Sequence, residues 1–182
     1  MRHLLPTIIG LLAVAGVSAF AQTSFAQTKQ PVPVKRQHSK TSSTQSSSAE
    51  KENIREAVFR YLIDCSARKA KHSGGDWTKI IFLSIGDRKS PSSALIARFA
   101  SSHIPVKPFS SAVVKDRLYK DKATNEQGLL YYIRKINRQD ATQSTVDGGW
   151  MSSPKGGIFA LYTVKKSKGK WAVTSEKALG QY

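Results

Sequence analysis

Between Leu129 and Glu176 the chain passes through four apolar, β-branched stretches separated only by turn-forming residues, which leaves it few ways to fold. Leu129 to Ile136 reads as one strand and Ala141 to Met151 as a second. Gly157 to Lys166 reads as a third, with Ile158, Ala160, Tyr162 and Val164 at alternate positions on one face. Lys168-Gly169 supplies a tight turn, and Lys170 to Glu176 returns as the fourth strand. Short connections of this kind make successive strands antiparallel neighbours, so the C-terminal third is predicted to be an antiparallel meander.

The residues before it have helical periodicity. Ser48 is placed to cap a helix, Glu50, Glu52 and Glu56 favour its positive end, and Ile54, Val58, Tyr61, Leu62 and Cys65 share one face. Arg68 to Gly75, with Ser73 and two glycines, end it. Lys79 to Ile85 suits a strand buried on both faces, stopped by Gly86-Asp87. Ser90-Pro91 is expected to open a second helix bearing Leu95, Ile96 and Phe99. His103 to Pro108 must be extended because each proline disfavours helix at the residue before it. Lys115 to Gln127 is charged and weakly patterned and reads as a surface loop. Helices first and sheet afterwards predict an α+β domain over 49–182, with the helices packed on one face of the sheet.

The N-terminus constrains the compartment. Arg2, the apolar run Leu4 to Phe20 and the small-x-small site Ala19-Phe20-Ala21 make residues 1–21 a secretory signal peptide. Ser24-Phe25-Ala26 offers a second cleavage site after Ala26, and an uncleaved membrane anchor is the alternative reading. The expected location is periplasmic or secreted. Residues 22–48 are rich in Ser, Thr, Gln and Pro and read as a disordered tether, because they lack the apolar surface to offset ordering entropy. Cys65 is the single cysteine, so no internal disulfide forms and the domain depends on its core.

The formal charge is +17, of which +12 falls on residues 50–182. That balance predicts weak, nonspecific attraction to an anionic polymer, an anionic membrane surface or an acidic protein, against the plainer reading of a solvated surface. Chemical signatures are absent. Gly148-Gly149 and Gly156-Gly157 lack the Lys-Ser/Thr pair of a phosphate loop and read as bulge or turn glycines. His38, His72 and His103 do not stand at metal-ligand spacing, so neither a metal nor a cofactor is expected. Cys65 with His72 or His103 is the one nucleophile–base pair to consider, but a cysteine on an apolar helix face is usually structural. Asp64, Asp76, Asp87, Asp140 and Asp147 show no spacing that pairs two carboxylates. Trp150, Tyr162 and Trp171, with lysines nearby, suit either base stacking of single-stranded nucleic acid or the core, and the core is favoured.

Gly148-Gly149-Trp150, Tyr162-Thr163-Val164 and Gly169-Lys170-Trp171-Ala172-Val173 resemble the close of small exported domains with a cystatin-like or nuclear-transport-factor-like fold. Phe82 to Gly86, Ala97 to Ala100 and Pro105 to Pro108 also resemble an uncharacterised family of small bacterial secreted domains. The resemblance implies an N-terminal helix cradled by a bent antiparallel sheet, with a cone-like cavity between them. Cys65, His103, Trp150, Tyr162 and Trp171 are the candidates to line that cavity. No catalytic residues are carried over. The expected function is an exported, non-enzymatic binding or assembly domain; a small-molecule carrier or hydrolase using the cavity and a structural envelope module are the alternatives. Export should remove the leader, and intact-mass measurement of the recovered protein should show a chain beginning at Gln22 or Gln27. A membrane-bound chain that retains Met1 to Ala21 would refute this.

Overall fold

The computed structural model of the chain describes residues 41–73 and 78–182, with side chains at 47–68 and 78–182. The leader and most of the tether lie outside the described residues. Helix α1 (Thr41–Ser73) leads into β1 (Ile80–Ile85), α2 (Ser93–Ala97), β2 (Val106–Pro108), β3 (Ala112–Lys115) and β4 (Leu118–Asp121). The meander follows as β5 (Gly128–Arg138), β6 (Gln143–Ser153), β7 (Gly156–Ser167) and β8 (Lys170–Gln181). Six strands form one sheet in the order β2-β1-β5-β6-β7-β8, and β3 pairs with β4 separately. This is an α+β architecture.

The meander forms as expected, antiparallel from β5 to β8. The whole sheet, however, is mixed. β1 runs parallel to both β2 and β5, placing Ile81 opposite Val106 and Leu129. The long connections leaving β1 allow the crossovers that a parallel pair requires. β8 is an edge strand, and its register with β7 slips between Phe159 and Ala160 and again between Thr163 and Val164.

Three local expectations are corrected. First, α1 begins at Thr41, so Ser48 lies inside the helix and the expected tether contributes its opening turns. Once a helix is anchored by packing, each added residue gains a hydrogen bond without a new nucleus, and serine and glutamine do not forbid it. Second, Ser92 rather than Ser90 caps α2, its Oγ accepting from the Leu95 N–H at 3.1 Å. The Ser90 Oγ instead accepts from the Ser110 N–H at 2.9 Å and ties down the chain after β2. Third, part of the expected loop Lys115 to Gln127 is a hairpin. Asp116 and Arg117 adopt φ of 53° and 62°, the paired left-handed geometry of a tight β3–β4 turn. Its alternating pattern is only four residues long and turns the charged Asp121 inward, which hid it.

Two apolar layers enclose the sheet. On one face α1 lays Ile54, Val58, Phe59 and Leu62 against Ile81, Leu83, Tyr131 and Tyr162. On the other, Tyr119 and Ala112 of the hairpin cover Ile80, Phe82, Leu130 and Met151. β1 is therefore buried from both sides, and each fully buried side chain of this size contributes roughly 1.5–3 kcal/mol. Gly148 and Gly149 sit inside β6, not in a turn, and the register of β6 with β5 slips beside Gly148, between Ile133 and Lys135. A Cβ at Gly148 would strike the Tyr132 carbonyl oxygen, and one at Gly149 that of Ile158, so close strand approach excludes larger residues.

Asp121 is 2 % exposed, bonded to the Lys107 ammonium at 2.9 Å and to the Thr124 N–H and hydroxyl at 3.1 Å. Lys107 first, and then the Thr124 bonds, hold its carboxyl below the ordinary 3.8 against the opposing effect of burial. A depressed folded pKa gives stability that is present above the unfolded value and lost as pH falls through the folded one. Asp121→Asn should therefore lower the melting temperature at neutral pH, and the difference from wild type should close as pH falls below 3.8. A difference independent of pH would show that the carboxylate charge contributes nothing.

Candidate functional site

Under α1 the face of the sheet is covered by packed aromatic rings, and the open space is confined to the edge beside β8. Phe59 is fully buried and meets Phe99 edge-on with ring centroids 6.4 Å apart. Tyr162, also fully buried, meets Tyr61 in the same way at 5.9 Å. Trp171 closes the end nearest β8's start, 8 % exposed, with the Lys166 ammonium 5.9 Å from its ring centroid. Lys166 in turn binds Glu50 of α1 at 2.7 Å and keeps that carboxyl below its usual range.

The five cavity candidates therefore do not converge on one site. Tyr162 and Trp171 are core residues, and Trp150 is half-buried against the same core. Their inward orientation follows from strand alternation, because the face they share is the one α1 covers. Cys65 is half-buried beside Tyr61 and Tyr162, and Arg68 donates from Nη2 to its Sγ at 3.2 Å. Glu50, which contacts Lys166, precedes Cys65 by 15 helical residues, about 22 Å along the axis. His103 is exposed on an open cleft of about 240 Å³, shared with Arg60, Asp64, Phe99 and Ser102. The His72 side chain and Asp76 lie outside the described residues.

Around Cys65 the phenols are held protonated. The Tyr61 hydroxyl donates to Glu176 Oε2 at 2.8 Å, the Tyr131 hydroxyl bonds Ser66 Oγ, and the buried Tyr162 hydroxyl finds no partner. Burial is the first cause raising all three, and it pushes Tyr131 up to about 12. Neutral phenols at these positions can donate or pack but cannot act as bases near neutral pH. Two of the candidate carboxylates are occupied structurally, while Asp64 and Asp87 are exposed. Asp147 accepts from Arg134 Nε and Nη2 at 3.0 and 2.8 Å, and Asp140 Oδ1 accepts from the Thr142 and Gln143 N–H groups in the β5–β6 turn. Among the described residues no three His, Cys, Asp or Glu side chains converge as a metal site would require.

The surface is where the arrangement is distinctive. Glu50, Glu52, Glu56, Asp116, Asp121 and Asp147 each hold a cation at 2.5–2.9 Å. Arg117, Lys155, Lys165, Lys168 and Lys170 are exposed with no acid at ion-pair distance among the described residues. Lys170 edges an open cleft of about 520 Å³ with Asn53, Arg60 and Trp171. A second depression, about 450 Å³, lies between the hairpin and the β6–β7 turn, lined by Val114, Arg117, Ser153, Pro154 and Lys155. Sequence reasoning missed the hairpin as a surface; its signal was Val113-Val114 beside Lys115 and Arg117. No protein-family model, curated protein or solved structure matches the chain.

Because Trp171 is a core residue, Trp171→Ala should cost about 3 kcal/mol in chemical unfolding. Cys65→Ala, at a half-buried position, should cost under about 1 kcal/mol. The reverse order would place the structural weight on Cys65 and free Trp171 for ligand contact.

Proposed function

We propose that this protein is an exported, non-enzymatic binding domain of cystatin-like or nuclear-transport-factor-like type, attracting anionic polymers or surfaces through its unpaired cations. The carrying observation is the division of charge: six acids are engaged in ion pairs, while Arg117, Lys155, Lys165, Lys168 and Lys170 at strand ends and turns face water without one. A surface of this kind raises the local concentration of a polyanion without a shaped pocket. The fold assignment is supported by α1 lying across the β5–β8 meander. The export assignment rests on the N-terminal apolar run and its small-x-small sites. Among the described residues no helix is long and apolar enough to cross a membrane. The aromatic packing between α1 and the sheet weighs against a carrier or hydrolase that uses that space.

Binding of the mature chain to heparin, single-stranded DNA and anionic vesicles should be measurable in dilute buffer and fall steeply with salt. Four phosphate-type contacts weaken affinity about a hundredfold between about 50 and 200 mM salt. Lys165→Glu with Lys168→Glu and Lys170→Glu should weaken heparin binding further. No binding to any of the three at low salt would overturn the proposal. Tight binding to one of them that survives high salt would replace it with a specific site.

A further inference from the structure

The β3–β4 hairpin combines exposed apolar side chains with cations on a rigid support. Val113 and Val114 are 39 % and 52 % exposed, two of the four large exposed hydrophobic residues among those described. Adjacent strand residues point to opposite sides, so the valines flank the hairpin rather than form one flat patch. Such a shape enters a surface tip first. The tip is a short two-residue turn at Asp116-Arg117, and Tyr119 anchors the returning strand in the core.

Its charges are sorted as well. Asp116 is engaged by Lys120 at 2.7 Å, and Asp121 is turned inward to Lys107. Asp121 is thereby withdrawn from the surface, while Asp116 stays exposed at the tip with its charge offset by Lys120, and Glu126 is exposed beside β4. Lys115 bonds only the neutral Asn125, at 3.3 Å, and Arg117 is exposed at the turn. Across the depression of about 450 Å³, Lys155 faces the same opening beside Pro154. Apolar residues that penetrate, cations that stay at headgroup level and a depression between them suit a phospholipid surface. A soluble polyanion would make no use of the valines.

We propose that the β3–β4 hairpin docks the protein on an anionic lipid bilayer, Val113 and Val114 entering the headgroup–acyl boundary while Lys115, Arg117 and Lys155 meet lipid phosphates. This rests on the polyanion reading above and names the surface that the basic face serves.

Co-sedimentation of the mature chain with phosphatidylcholine vesicles, with and without phosphatidylglycerol, tests it. Wild type should bind only the anionic vesicles. Val113→Ser with Val114→Ser should weaken that binding roughly tenfold and leave heparin binding unchanged. Arg117→Glu with Lys155→Glu should weaken vesicle binding more than Lys168→Glu with Lys170→Glu. In a Cys65→Ser background, an environment-sensitive dye on Val114→Cys should shift to the blue on anionic vesicles. Wild-type vesicle affinity in the serine pair, or a dye that does not shift, overturns the hairpin while heparin binding keeps the polyanion reading alive. Loss of heparin binding by wild type itself overturns the reading beneath it.

Discussion

Burial of β1 on both faces is the constraint on which the other layers depend. Ile81 and Leu83 point toward α1, and Ile80 and Phe82 point toward the hairpin. One strand of six residues thus joins a helix layer to a hairpin layer through the sheet. With a single cysteine the chain has no internal covalent brace, so this apolar contact does what disulfides do in many small domains. It also explains the mixed sheet. A strand apolar on both sides is poorly served at an exposed edge, and parallel neighbours on either side place it inside.

The parts of this architecture that were readable in the sequence are those encoded locally. Alternation along Ile158, Ala160, Tyr162 and Val164 announced a half-buried strand, and the spacing of Ile54, Val58 and Leu62 announced a helix face. The apolar run from Ile80 to Leu83 announced double burial. What stayed hidden depends on partners distant in sequence. Nothing near β1 says which strand it pairs with, and nothing near Asp121 says that Lys107 waits to receive it. The start of α1 was misplaced because composition reports the cost of ordering but not whether a packed helix continues into the segment.

The candidate site was legible to a smaller degree. Composition revealed an excess of cations, but only the structure shows that six acids are engaged elsewhere. The aromatic residues Tyr162 and Trp171 were ambiguous because a tryptophan on a strand reads the same whether its face meets a helix or water. Their position under α1 decides the matter. Val113 and Val114 drew no attention in a charged stretch, since two valines carry little signal until the turn at Asp116-Arg117 sets them out from the core.

The two register slips along β8 bear on how the molecule behaves in company. A twelve-residue outer strand offers a row of unused backbone donors and acceptors, the template on which fibrils grow. The irregularities break that row into short pieces, and Lys170, Glu176 and Lys177 punctuate it with exposed charge. Two copies meeting there find no long run of matched spacing. The last strand thus carries its own deterrent to growth along its free edge, with no cap needed over it.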